Sequence, residues 1–274
     1  MYMDKLTKLA KVAATLAGNP NLLGRILLDP YETEIQRRMA GVYDLGKGLP
    51  TIDLLDVTPD LDETIDPYCF MNGSSRTVDM ALLKALARQF PRCRYLEIGA
   101  LRGESIVNVA AIAEECVSVS LSDEEMTQRG WTGNYLKNNG LFLGAVSNLK
   151  RVGHDSSTFD FSSLGKFDMV FVDGDHSYAG VMQDTRSAFS VLRDERSIIV
   201  WHDYGLEFEA PRWSVMAGIL DAAPERERRR IYHVSNTLCA IYTRREFPTA
   251  IVEHPAVPNK VFSVRVSARK LSSP

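Results

Sequence analysis

No run of about 18 apolar residues occurs in this 274-residue sequence, so a membrane-spanning helix is not expected. The first turns carry Asp4, Lys5, Lys8 and Lys11, which leave no uninterrupted apolar stretch of the kind a secretory leader needs. Cysteine is scarce. Its four copies, Cys69, Cys93, Cys116 and Cys239, are far apart and form no C-x-x-C pair. Three of them lie in or beside apolar runs, where a reduced cysteine behaves as a small hydrophobe, and a reducing cytoplasm is the expected setting. An excess of one charge is also missing: the formal net charge of −3 supplies no basic field for nucleic acid. The run ERERRR at Glu225 to Arg230 reads as a solvated helix end. Internal repeats and low-complexity tracts are absent. With 45% hydrophobic and 24% charged residues, the chain has ordinary globular usage and fits one elaborated domain, or a domain with an appendage.

What is present is a regular alternation. Leu6, Leu9, Ala10, Ala13 and Leu16 form an apolar stripe at helical spacing that stops at Gly18-Asn19-Pro20. A short helix is expected over Leu22 to Leu28. Asp29-Pro30-Tyr31-Glu32 then has the order of an N-cap, a Pro at the first helical position and a Glu at the third, opening a helix to about Met39. Gly46 to Asp66 has several Pro and Asp residues and reads as an irregular connection. From Thr77 onward, helices are expected over Val78 to Phe90, Glu104 to Glu114 and Tyr178 to Leu192. Strands are expected over Arg94 to Ile98, Cys116 to Leu121, Leu149 to Val152, Phe167 to Val172 and Ser197 to Trp201. Such alternation predicts a parallel sheet covered on both faces. Ile231 to Val234 and Leu238 to Thr243 are separated by three residues, too few for a crossover, and predict an antiparallel hairpin. The tail Val261 to Arg269 alternates apolar and polar residues and predicts a half-buried strand. The expected organisation is a helical cap or oligomer arm over 1–75, a central domain over 76–245 and a tail over 246–274.

Two strand ends concentrate chemistry. YLEIGALRGESIVNVA, Tyr95 to Ala110, passes from an apolar run through Gly99 and Gly103 into a helical pattern; FDMVFVDGDHSY, Phe167 to Tyr178, places Asp173, Asp175 and His176 at one tip. Ligands in open α/β sheets bind at such strand ends. Leu101 occupies the position where a G-x-G-x-x-G fingerprint would have its second glycine, which disfavours a nicotinamide dinucleotide. Glu97 would repel a diphosphate and could accept hydrogen bonds from an ammonium-bearing cofactor.

Taken in order, E-x-G-x-x-x-G, VGHDS, FDMVFVDGDHSY, IIVWHDY and the terminal hairpin resemble the class I S-adenosylmethionine (SAM)-dependent methyltransferases. The nearest group in appearance is the macrocin O-methyltransferase-like and cephalosporin-hydroxylase-like set, and the resemblance covers about Thr77 to Thr243. It implies a Rossmann-like α/β sheet, mostly parallel with a C-terminal antiparallel hairpin, flanked by helices and preceded by a helical extension. It implies that Glu97, Gly99 and Gly103 line the methionine end of the cofactor, with Ser105 and Asp173 also among its contacts. Ser120 falls where an acidic ribose contact is usual, so that contact is expected from Ser120 or from Asp123. Asp155 and Ser156 match adenine-contacting positions, or form a polar surface turn.

The same resemblance places a divalent metal, Mg²⁺ or another, at Asp173, His202 and Asp203. His202 replaces an expected acidic ligand, which tilts preference toward Mn²⁺, Fe²⁺ or Zn²⁺, unless Asp173 and Asp203 suffice without it. His176, where related enzymes place a general base, is the expected proton acceptor. The implied activity is O-methylation of a small hydroxylated molecule of sugar or natural-product type, by a homo-oligomer or a monomer. The rival readings are an NAD-dependent oxidoreductase and a non-catalytic scaffold on the same sheet.

Overall fold

The computed structural model describes residues 5–18 and 30–271. An eight-stranded sheet forms its centre, built from β1 (Thr51–Ile52), β2 (Arg94–Ile98), β3 (Glu115–Ser120), β4 (Leu149–Gly153), β5 (Met169–Val172), β6 (Ile198–Trp201), β9 (Ile231–Val234) and β10 (Ala240–Tyr242). A separate two-stranded ribbon pairs β7 (Gly205–Glu207) with β8 (Ala210–Pro211). The sheet order is β1-β9-β10-β6-β5-β2-β3-β4. All neighbours run parallel except β10, which is antiparallel to both β6 and β9. The order reverses between β2 and β5: the chain first builds outward through β3 and β4, then returns to build the other half. That reversal opens a crevice at the carboxyl ends of β2 and β5.

The central strands are β-branched and aromatic runs, and β5 (MVFV) and β6 (IIVW) are buried at every position. Successive side chains of β5 enter opposite layers. Val170 and Val172 pack with Ile35, Met39, Val181 and Ile219 on one face, Met169 and Phe171 with Leu82, Leu86 and Val109 on the other. Each fully buried aliphatic or aromatic side chain contributes about 1.5–3 kcal/mol, so these two layers dominate the stability. The second face is covered by helices Thr77–Ala87 and Glu104–Ala110, the first by helices Pro30–Tyr43, Tyr178–Ser190 and Trp213–Ala222.

Helix Pro30–Tyr43 is part of this body. Ile35 and Met39 join its core, and Glu32 accepts from the Trp213 N–H at 2.6 Å and the Ser214 N–H at 3.2 Å. These are free N–H groups at the start of a helix that carries no side-chain cap of its own. Asp221, on that same helix, accepts from Arg38, Tyr43 and Tyr178 at 2.6–2.8 Å. Helix Lys5–Gly18 forms as its periodicity predicts but has no buried residue. The short helix expected at Leu22 to Leu28 lies outside the described residues.

Two expectations are corrected. The segment 46–66 contains β1, which pairs in parallel with β9, and a short helix, Leu54–Val57, capped by Asp53. The tail Val261 to Arg269 forms no strand. Val264 and Val266 are exposed, because alternation buries one face only where a sheet edge is there to receive it. The tail is instead tied down by ion pairs, Lys260 to Asp53 at 2.7 Å and Arg269 to Asp66 at 2.8 Å. Among the described residues no helix is long and apolar enough to cross a membrane.

Candidate active site

At the β2 end the chain turns through Gly99 with φ +93°. A Cβ there would stand 2.5 Å from the Gly174 Cα and closer still to the Asp173 carbonyl oxygen. Gly99 therefore lets the β2 and β5 tips pass each other, a requirement of the fold before it is one of any ligand. Gly103, at φ +85°, makes room for Leu143, whose Cγ would lie 2.7 Å from an added Cβ.

Glu97 is fully buried beneath the glycine turn, accepting from the Ser105 hydroxyl at 2.6 Å and the Tyr95 hydroxyl at 2.8 Å. Burial pushes its carboxyl up to about 8, against the pull of the two hydroxyls. Glu97 and Ser105 thus brace the turn from behind and do not line an open surface. Arg102 and Glu104 extend the bracing outward. Glu104 accepts from the Cys69 N–H, the Ser74 hydroxyl and Arg102, which fastens the segment before helix Thr77–Ala87 over the first turn of helix Glu104–Ala110.

Past the β3 and β4 ends lies an open cleft of about 440 Å³, lined by Ser120, Asp123, Asn139, Arg151 and Gly153 among others. Ser120 and Asp123 both line this cleft, and Asp123 accepts from Asn139 at 2.6 Å. Asp155 is engaged elsewhere: it pairs with Arg129 and accepts from the Ser157 N–H at 3.0 Å, the geometry of a polar turn. Ser156 lies near Asp184, whose carboxyl burial pushes up to about 6.

The tips of β5 and β6 bring the acidic and imidazole groups together. One donor atom each from Asp173, His176 and Asp203 lie within 4.8 Å of one another. His176 Nδ1 stands 3.0 Å from Asp203 Oδ2, and this pairing raises the imidazole above its ordinary value despite partial burial. His202 is buried. Its Nε2 lies 3.1 Å from Asp79 Oδ2, while its Nδ1 lies 3.1 Å from Asp173 Oδ1 and 3.3 Å from Asp203 Oδ2. Neither of those last two oxygens is on the hydrogen-bonding line of the ring, so Nδ1 has no hydrogen-bond partner. Burial disfavours charge on His202, but Asp173, Asp203 and Asp79 outweigh it and hold its pKa well above the ordinary value. Asp203, also largely buried, is held well below the usual carboxylate range by His176 and His202. Asp203 adopts φ +57°, a left-handed conformation that costs a non-glycine residue of order 1–3 kcal/mol and clusters at functional sites. Asp175 faces away, capping the next turn through Ser177.

Two carboxylates converging with imidazole nitrogens make a mixed oxygen and nitrogen donor set that fits a divalent cation. The sequence reading missed Asp79, Ser75, whose hydroxyl donates to Asp173 Oδ2 at 3.3 Å, and Arg212, 3.7 Å from Asp203 Oδ1. Asp79 had one visible signal, an acid set inside the apolar helical run TVDMALLKALA.

Residues 96–204 match a family model described as a methyltransferase domain. The matched residues run from β2 to just past β6, the parallel core of the Rossmann-like sheet described above. It is similar in structure to cofactor-bound Rv0187 from MTB, at 17% identity over 70% of this chain and 88% of that one, with a TM-score of 0.44. A Bacillus cereus O-methyltransferase in complex with SAH is similar at 13% identity, 76% and 95% coverage and a TM-score of 0.42. An SAM-bound amino pentose methyltransferase from Micromonospora echinaspora, involved in calicheamicin biosynthesis, shows 15% identity and a TM-score of 0.34; the match spans 47% of this chain and 51% of that one. No curated protein matches the sequence.

Proposed function

We propose that this chain is a SAM-dependent methyltransferase that acts on the hydroxyl of a small acceptor, with His176 as general base. The observation that carries the reading is the His176–Asp203 pair at the strand ends beside Asp173. The Asp203 carboxylate 3.0 Å from Nδ1 favours the proton on that nitrogen, which leaves Nε2 as the basic one, and His176 is the more exposed of the two imidazoles. An acceptor hydroxyl approaching this edge gives its proton to Nε2 as its oxygen attacks the methyl group. The oxygen–carbon bond forms as the carbon–sulfur bond breaks, and S-adenosylhomocysteine leaves. SAM supplies an already activated methyl group, so the chain's own work is positioning and proton removal. Asp173 and Asp203, with an imidazole, would hold a divalent cation that lowers the pKa of the acceptor hydroxyl.

The test is S-adenosylhomocysteine release across a panel of sugar and phenolic acceptors, with matched amines as controls. Turnover is expected with hydroxyl acceptors and falls roughly 10²–10⁴-fold in His176→Ala. Because His176 titrates above its ordinary value, kcat/KM should rise with pH through a limb centred above about 6.5, and the variant should lack that limb. Turnover confined to amines, or an unchanged pH limb in the variant, would overturn the reading.

A further inference from the structure

Two exposed apolar segments that neither core layer takes up border the site. One is the loop over residues 69–74, which is fastened from below. Glu104 accepts from the Cys69 N–H and the Ser74 hydroxyl, both at 2.8 Å, and Arg102 donates to the Asn72 carbonyl at 3.1 Å and to the Ser74 oxygen at 2.7 Å. On this clamp Phe70 takes φ +52°, a left-handed conformation that is uncommon for a bulky residue, and is 67% exposed. Met71 beside it is exposed as well. The loop then runs into Ser75, whose hydroxyl reaches Asp173.

The other segment is the ribbon of β7 and β8. It leaves the sheet just after Asp203 and returns at Arg212, whose N–H donates to the Tyr204 carbonyl at 2.6 Å and whose guanidinium stands 3.7 Å from Asp203. Leu206 on the ribbon and Phe208 at its turn are both exposed. Arg76 joins the two segments: its guanidinium carbon lies 5.6 Å from the centre of the Phe208 ring, and its nitrogen 4.0 Å from the Glu207 carboxylate. Each segment is thus tied within a residue or two to a carboxylate of the site.

The charged groups of this rim are paired with one another. Arg76 faces Glu207, Arg212 faces Asp203, and Glu209 meets His254 at 2.8 Å. What the rim presents outward is mainly apolar and aromatic surface. An acceptor dense in hydroxyl groups would leave several of them without partners wherever it covered such a rim. A planar aromatic compound instead buries its faces there and gains ring-to-ring contact.

We propose that the acceptor is a hydroxylated aromatic compound whose ring lies against Phe208 and the adjoining apolar rim while its hydroxyl reaches His176. This rests on the hydroxyl-transfer reading above and names its substrate class. The phenolic oxygen bonds to the methyl carbon as the carbon–sulfur bond breaks, its proton goes to His176, and an aryl methyl ether leaves with S-adenosylhomocysteine. A phenol ionises near ~10, as tyrosine does, far closer to an imidazole base than a sugar alcohol.

The full chain, saturated with S-adenosylhomocysteine, would be titrated calorimetrically with 2-naphthol as the aromatic probe and methyl α-D-glucopyranoside as the sugar probe. Binding of 2-naphthol and not of the glucoside is expected at millimolar concentration. Phe208→Ala, a change at an exposed position, should weaken 2-naphthol about 3–10-fold, the range of one aromatic contact, with S-adenosylhomocysteine affinity unchanged. Phe208→Trp should restore it. Preference for the glucoside, no binding of 2-naphthol, or equal affinity in Phe208→Ala would overturn the aromatic acceptor while leaving proton removal by His176 standing. A dimer in sedimentation that falls apart in Phe208→Ala would assign the rim to a second copy and overturn it too. Failure of the unaltered chain to bind S-adenosylhomocysteine would remove the methyltransferase reading itself.

Discussion

At Glu97 a carboxylate is buried without a cation, and its consequence is a pH dependence of stability. The folded protein holds this proton up to about pH 8, whereas an unfolded chain releases it near 4.5. Between those values the native state binds more protons than the unfolded one, so stability falls as pH rises through that window. Glu97→Gln removes the titration while leaving an amide for Tyr95 and Ser105 to meet. Melting temperatures measured from pH 5 to pH 9 should therefore move in favour of the variant as pH increases, by roughly 2–4 °C for each kcal/mol. Parallel curves for the two proteins would mean that Glu97 does not titrate in this range. Glu97 also shows where residue-level reading stops. The sequence makes its identity and its strand-end position plain, but not that Tyr95 and Ser105 close over it. Asp173, His176, His202 and Asp203 were readable because they sit at the tips of adjacent parallel strands. Asp79 reaches His202 from 123 positions away, through a contact that only the packed helix creates.

Among the elements, those that carry their own periodicity were readable, and those that depend on a neighbour were not. Apolar runs marked β2, β5 and β6 because parallel strands are buried on both sides. Two-residue β1 has no pattern to detect and exists because β9 offers it a parallel partner. The tail shows the converse, a pattern without a partner. Glu32 illustrates the same dependence at a helix end: it looks like the third residue of its own helix and caps a different one. Glu32→Ala should uncap helix Trp213–Ala222 and cost about 0.5–2 kcal/mol, the usual value of a lost N-cap. The urea midpoint should drop accordingly at an unchanged m-value. Glu32→Gln should recover part of the loss, since its carbonyl oxygen can still accept one N–H. A midpoint unmoved by Glu32→Ala would mean that water satisfies these groups equally well.

For the molecule as a whole, the sheet separates what stabilises from what functions. Both core layers and the N-terminal helix Pro30–Tyr43 lie on its faces, while the site occupies the carboxyl ends of β2, β5 and β6. Of the tail, Phe247 packs against the second layer, and its later apolar residues join neither core. Beyond the Thr51–Ala250 bridge the tail has no regular secondary structure, and most of its apolar residues are exposed. Its polar ties include His254 with Glu209, Asn259 with Asp53, Lys260, nearly buried, with Asp53, Ser235 and Asn236, and Arg269 with Asp66. Surface ion pairs contribute about 0–1 kcal/mol each. Ending the chain after residue 256 should therefore lower stability by no more than about 2 kcal/mol on that scale. Affinity for S-adenosylhomocysteine should stay unchanged, because none of Gly99, Ser120, Asp123 or Asp173 contacts the deleted segment through a hydrogen bond or ion pair. Calorimetric titration of the truncated and full-length proteins compares the two directly. A tenfold or greater loss of affinity would place the tail in the cofactor's path and make residues 257–271 part of the working enzyme.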